Sequence, residues 1–201
     1  STTDNSTSPV ALSNPPDMGA NTWTAVAAGD NHTVALRSDG TLWAWGDNQY
    51  GQLGNGTTDD RLTPVRVSDP PDMDTKTWTA VSAAGQVTTA LRSDGTIWAW
   101  GRNQFGQLGN SSTADSAAPV QEAYGWTDWV AVVTGGNHTV AMRSGGTLWA
   151  WGHGGQGQLG NGSNEHSLVP VAVAGGDTDW AEFAAGGWHT AAIKFDGSLY
   201  T

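Results

Sequence analysis

Hydrophobic and polar positions alternate along this chain in short runs that stop and begin again. Thr24-Ala25-Val26-Ala27-Ala28 is a run of small and β-branched residues closed by Gly29. His32 to Arg37 reads HTVALR, and Thr41 to Trp45 sets Thr41, Trp43 and Trp45 against Leu42 and Ala44. Period-two patterning over so few residues, bounded by Gly and Asp, predicts three strands. Ser38-Asp39-Gly40 is predicted as the hairpin turn between the second and third, because Gly accepts the positive φ that tight turns demand. Gly46 to Gly56 is a loop rich in Gly and Asn, and Pro64-Val65-Arg66-Val67 is predicted as a short fourth strand that opens on its proline. No segment longer than ten residues carries a helical apolar period.

The pattern is periodic on a larger scale. WTAVAAGDNHTVALRSDGTLWAWGDNQYGQLG from Trp23 returns from Trp78 and Trp129, and its first part returns from Trp180, in steps of 55, 51 and 51 residues. This divides the chain into repeats at 23–77, 78–128 and 129–179, with the start of a fourth at 180–201. Residues 1–22 match the end of the first repeat at an offset of 55 (TTDNSTSPV against TTDDRLTPV), so they are expected to be the tail of a preceding unit. Four short strands per unit and no helix predict an all-β protein, a β-propeller of four-stranded antiparallel blades. Three full repeats and two partial ones would make an open or incomplete ring.

Ten of the 12 tryptophans fall on three repeat positions. Trp23, Trp78, Trp129 and Trp180 open the units, Trp43, Trp98 and Trp149 follow, and Trp45, Trp100 and Trp151 close the third strand. Aromatics that recur in every unit are expected to pack within and between blades, each burying ~150–250 Å². That explains how a chain with 37% hydrophobic residues keeps a core. Net charge is −11, with 8 Lys and Arg, which argues against nucleic acid and anionic membranes as partners. No run approaches the ~18 apolar residues of a transmembrane helix. Cysteine is absent, so disulfides contribute nothing.

The run W-x-x-V-x-x-G-x-x-H-T-x-A-L-x-x-D-G-T-L-W-x-W-G-x-N-x-x-G-Q-L-G closely resembles the repeat of the regulator of chromosome condensation family. The resemblance covers essentially the whole chain and implies a seven-bladed ring. It also brings the family's nucleotide exchange on a small GTPase and its nucleosome binding into view, but chromatin binding would need a basic tail or an arginine-bearing loop. Arg37, Arg92, Arg143 and Lys194 instead share one strand position and are expected to be structural. Three departures stand out. Repeat 2 has Val87 where repeat 1 has His32, repeat 3 has Gly145 where repeats 1 and 2 have Asp39 and Asp94, and His153-Gly154-Gly155 replaces Asp47-Asn48-Gln49.

His32, His138 and His189 recur before a threonine and are expected to tie neighbouring strands or loops by hydrogen bonds rather than to share a metal. His153, Glu165 and His166 are peculiar to repeat 3, but no HxH or HExxH spacing supports zinc. The Asn- and Asp-rich loops lack the order of a calcium loop. No nucleophile elbow, P-loop or dinucleotide fingerprint occurs, so no catalytic residue, cofactor or metal is assigned. Trp188 in Gly187-Trp188-His189-Thr190 is similar to a tryptophan-bearing form of the motif in a light-sensing branch of the family, although one copy in four does not carry that function.

Tyr124, Trp126, His153, His166 and Trp188 are therefore the candidate partner contacts, outside the repeat pattern and in loops. The expected function is a non-enzymatic module for protein binding or self-assembly. The two partial end blades offer strand edges that another chain could complete, unless the missing blades belong to the same polypeptide. A GTPase regulator and a polysaccharide-acting enzyme are the alternatives. Composition favours a bacterial surface or extracellular setting, resembling secreted propellers of the family.

Overall fold

A computed structural model of the chain describes residues 7–12, 14–15 and 18–201. Among the described residues, fifteen strands form four antiparallel sheets. The first blade is β1 (Trp23–Ala28), β2 (His32–Arg37), β3 (Leu42–Gly46) and β4 (Arg61–Arg66). The second is β5 (Trp78–Ala84), β6 (Val87–Arg92), β7 (Ile97–Gly101) and β8 (Ser116–Gln121). The third is β9 (Trp129–Thr134), β10 (His138–Arg143), β11 (Leu148–Gly152) and β12 (Ser167–Ala172), and β13 (Trp180–Ala185), β14 (Thr190–Lys194) and β15 (Leu199–Tyr200) form a three-stranded fourth. Strands pair in sequence order within each sheet.

Hairpin chemistry sets each register. Asp39 accepts hydrogen bonds through Oδ1 from Thr41 N (3.1 Å) and Thr41 Oγ1 (2.7 Å), while Thr41 Oγ1 accepts from Trp43 Nε1 (3.0 Å). Gly40 supplies the positive φ of 78°. Asp94, Thr96 and Trp98 repeat this arrangement in the second blade. The guanidinium of the preceding arginine holds Asp39 well below the usual carboxylate range. The periodic cations are built into the fold, since Arg92 is buried, pairs with Asp94 and Asp72, and lies 5.0 Å over the Trp98 ring.

The core lies between blades as much as within them. Val34, Leu36 and Leu42 pack with Trp78, Trp98 and Trp100 of the next blade. Leu91 and Ile97 pack with Trp129, Val132 and Trp151, and Val140, Leu148 and Leu159 pack with Trp180 and Ala192. No single sheet could bury these faces alone, which is why the repeat must stack.

Two expectations need correction. The fourth strand starts at Arg61, three residues before Pro64, and the ladder to β3 is irregular between Ala44 and Gly46, so the proline stands where pairing is broken. The closing strand expected within 1–12 is not formed at residues 7–12, and Val10 is 75% exposed; residues 1–6 lie outside the described residues.

Candidate functional site

The loops that join first to second strands and third to fourth strands meet on one rim. In the first two blades the long loop is built around an asparagine. Asn48 receives Leu53 N at its Oδ1 (2.9 Å) and donates from Nδ2 to Thr57 O (2.9 Å) and Asp59 O (3.0 Å). Its own N–H donates to Asp60 (2.8 Å). Asn103 and Asp115 repeat this in the second blade.

Repeat 3 replaces that scaffold. Gly154 stands in place of the asparagine, and the chain closes onto it so tightly that a Cβ there would lie 2.0 Å from Glu165 O. His166 stands in place of the aspartate and accepts the Gly154 N–H through Nδ1 at 3.1 Å. His153 stands where the other blades have Asp47 and Arg102. Asp47 accepts from Gln52 Nε2, and His153 does the same through Nδ1 for Gln158 Nε2 at 2.7 Å. Arg102 cannot accept, and the Gln107 Nε2 beside it is buried without a partner. Both imidazoles thus do a carboxylate's work through Nδ1, which places the proton of the neutral ring on Nε2. Burial and the neighbouring His166 hold the His153 pKa below its ordinary value.

The two rings lie 4.5 Å apart. Phe105 from the second blade meets both edge-on, 4.7 Å from His153 and 5.0 Å from His166, and Trp188 from the fourth meets His153 edge-on at 5.3 Å. Trp188 is 55% exposed and stands where other repeats have Asn31, Gln86 and Asn137. Three blades therefore contribute to one half-exposed aromatic patch. His153, His166 and Trp188 were legible as departures from the repeat. Phe105 was missed because Tyr50 precedes it at the same position and makes it look periodic. Among the described residues no three His, Cys, Asp or Glu side chains converge as metal ligands.

The other candidates lie elsewhere. Tyr124 and Trp126 stack at 4.6 Å on the opposite rim, and only Tyr124, 50% exposed, is a surface group. Trp126 packs on the core cluster, 4.7 Å from Trp149 and under the Arg143 guanidinium at 4.1 Å. With Gly145 in place of the turn aspartate, Arg143 pairs with Asp128 instead, and Trp126 fills the space beside it. Trp126 is thus partly buried and packs against the third blade.

Two of the three repeat histidines, His32 and His138, are inter-blade ties. Thr88 Oγ1 gives its proton to Gln52 O (2.9 Å), so His32 Nε2 must donate to Thr88 Oγ1 (2.9 Å). His138, Thr190 and Gln158 O repeat the chain. The histidine is donor to the threonine, the reverse of a base activating a nucleophile. Burial lowers the pKa of both rings to about 4. His189 is exposed on the fourth blade.

Models of the regulator of chromosome condensation (RCC1) repeat match residues 39–91, 94–142 and 145–193, and a second model of the repeat matches 23–52, 78–107 and 129–158. The Arabidopsis thaliana ultraviolet-B receptor UVR8 is 34% identical over 182 residues, 88% of this chain and 40% of the receptor. The Homo sapiens E3 ubiquitin-protein ligase HERC2 is 28% identical over 88% of this chain and 4% of the ligase. The chain therefore spans well under half the length of either relative. Among solved structures, human WBSCR16 superposes with a TM-score of 0.77 at 23% identity, covering 88% of this chain and 46% of that one. Yeast RCC1 (Prp20), in its structure bound to Kap60, gives 0.75 at 25% identity, covering 88% and 42%.

Proposed function

The chain belongs to the regulator of chromosome condensation (RCC1) repeat family, and from that premise we propose that it is a non-enzymatic protein-binding module that meets its partner through Phe105, His153, His166 and Trp188. The observation that carries this reading is coincidence in space: His153 and His166 of repeat 3 and Trp188 of the fourth blade, each a departure from the repeat, converge on one rim. Each departure alone is drift among similar units. Together they exchange a polar loop for aromatic faces and imidazole donors, the side-chain types that dominate binding hot spots. Yeast RCC1 bound to Kap60 is a family propeller acting as a protein's partner. The acidic balance fits a cationic protein better than nucleic acid. The relatives are plant, human and yeast proteins and lend no support to the bacterial surface setting that composition favoured.

The test is affinity capture with the immobilised chain, run in parallel with Trp188→Ala and, on the opposite rim, Tyr124→Ala. A protein held by the parent and by Tyr124→Ala but lost by Trp188→Ala supports the reading. Identical retention by all three defeats it.

Self-assembly is the other expectation, and light scattering across a concentration series decides it, since a strict 20.9 kDa particle would end this reading.

A further inference from the structure

Asp47, Arg102 and His153 stand at one position of the long rim loops, each five residues before a buried glutamine. In the first blade Asp47 Oδ2 accepts from Gln52 Nε2 (2.5 Å), and in the third His153 Nδ1 accepts from Gln158 Nε2 (2.7 Å). In the second blade the position holds Arg102, which has donors only. Gln107 cannot adapt by turning its amide over, because its Oε1 already accepts the Phe105 N–H (2.9 Å). Gln52 and Gln158 hold Tyr50 N and Gln156 N in the same way (2.9 Å each). The backbone carbonyl of Gln107 is fixed as well, by the Trp151 indole and the Thr139 hydroxyl. The side chain is therefore locked with Nε2 toward position 102, and among the described residues nothing accepts from it.

Arg102 is short of the same kind of atom. The chain has 8 lysines and arginines, and every other one pairs with a carboxylate. Among the described residues Arg102 has no such partner, although the sequence offers 19 Asp and Glu. Its guanidinium meets neutral groups instead, donating to Gln86 Oε1 (3.3 Å) and Gln104 Oε1 (2.5 Å) and lying 5.2 Å from the centre of the Tyr50 ring. Arg102 is half-buried and Gln104 is exposed, so the group is reached from the rim. A cation without a carboxylate thus stands where the neighbouring blades supply their glutamine with an acceptor.

We propose that Arg102 and Gln107 form a binding site for a carboxylate side chain, aspartate or glutamate, presented by a partner protein. One carboxylate oxygen takes the part of Asp47 Oδ2 and accepts from Gln107 Nε2. The other accepts from the Arg102 guanidinium, which exchanges bonds to neutral amides for charge-assisted ones. No ion pair among the described residues anchors that guanidinium, and it moves out to meet the incoming group and uncovers Nε2. A neutral acceptor would satisfy the amide and leave the cation unpaired, whereas a carboxylate satisfies both. The net charge of −11 repels anions at long range, so recognition comes from these contacts rather than from steering. The proposal rests on the reading of this rim as a protein-binding face, since Phe105 of the aromatic patch belongs to the same loop.

The probe is acetyl-Gly-Glu-Gly-amide, titrated at constant ionic strength into the isotope-labelled chain while the side-chain N–H groups are followed by NMR. The expected result is a saturable downfield shift of the Gln107 Nε2 protons together with those of the Arg102 guanidinium. The same peptide with glutamine in place of glutamate should bind at least about tenfold more weakly, as loss of a charge-assisted hydrogen bond implies. Arg102→Asp, which copies Asp47 of the first blade, should move the Gln107 protons downfield without peptide and abolish the response to it. An equal response of the parent chain to the glutamine peptide would overturn the proposal. So would an equal response to inorganic phosphate, or Gln107 protons that stay in place throughout the glutamate titration. Because these comparisons use the parent chain, a fold defect in Arg102→Asp would not shelter the claim. Failure here, with a captured protein still lost by Trp188→Ala, would remove the carboxylate site and leave the rim reading standing.

Discussion

His32 of the first blade donates from Nε2 to Thr88 Oγ1 of the second at 2.9 Å, across 56 residues of sequence. The threonine passes its own proton to Gln52 O, so histidine, threonine and backbone form a directed chain that joins two sheets. At the next junction Val87 takes the histidine's place, and Thr139 still donates to Gln107 O. The tie is therefore useful but dispensable. His32→Val, which copies the second repeat, should destabilise the chain by about 1–2 kcal/mol through loss of a buried hydrogen bond. Urea denaturation at neutral pH measures this, and an unchanged midpoint would contradict the role given to the ring.

The same rings make stability depend on pH. Burial lowers both to about 4 from 6.5; Asp47 and Asp30 oppose the shift at His32, while His153 and His189 reinforce it at His138. A histidine whose folded pKa lies below its unfolded one binds fewer protons when folded. Its penalty is absent above 6.5, grows as pH falls through the window from 6.5 to 4, and then levels off. Each ring should contribute a loss of roughly 3 kcal/mol across that window. Denaturation midpoints should fall between pH 7 and pH 4.5, and a His32→Val, His138→Val double variant should show a flatter profile over the same range.

Gly54 and Gly56 share a left-handed backbone and differ in what surrounds them, with φ of 67° and 80°. Gly54→Ala drives a methyl to within 2.6 Å of Trp100 Nε1, at a φ of 67°. The cost should exceed about 2 kcal/mol, combining overpacking with left-handed strain. Gly56→Ala, whose methyl would meet only Ser68 Oγ at 3.7 Å, carries only the strain, about 1–2 kcal/mol. Thermal denaturation of the two variants side by side should rank them in that order.

How much of this was open to sequence reading follows from the range of each interaction. The alternation in HTVALR and TLWAW, with Ser38-Asp39-Gly40 between them, is local chemistry, and β2 and β3 follow it closely. The repeat supplied the four-stranded blade. The start of β4 was misjudged because Pro64 reads as a strand opening, whereas the broken ladder beside Trp45 tolerates it within the strand. Trp126 looked like a surface aromatic because the absence of Asp at Gly145 does not reveal that Arg143 will turn to Asp128. The meeting of Phe105, His153, His166 and Trp188 depends on how three blades bring their loops together, which no local pattern encodes.

The imidazoles of the rim patch act as acceptors through Nδ1, so protonation there breaks the bonds to Gly154 N and Gln158 Nε2. Nitrogen NMR should find His153 as the Nε2–H tautomer, titrating below the ordinary histidine value. His166→Asp, which restores the acceptor of Asp60 and Asp115, should keep the fold at neutral pH and remove one face of the patch.

The most direct test of the rim as a binding surface is the dissociation constant of a partner captured by the parent chain, measured by calorimetry against Trp188→Ala and Tyr124→Ala. Truncation of an exposed hot-spot tryptophan should weaken binding by about tenfold or more, while Tyr124→Ala on the opposite rim should leave the constant unchanged. Equal affinity for the parent and Trp188→Ala, with loss in Tyr124→Ala, would contradict the account and move the partner to the other rim.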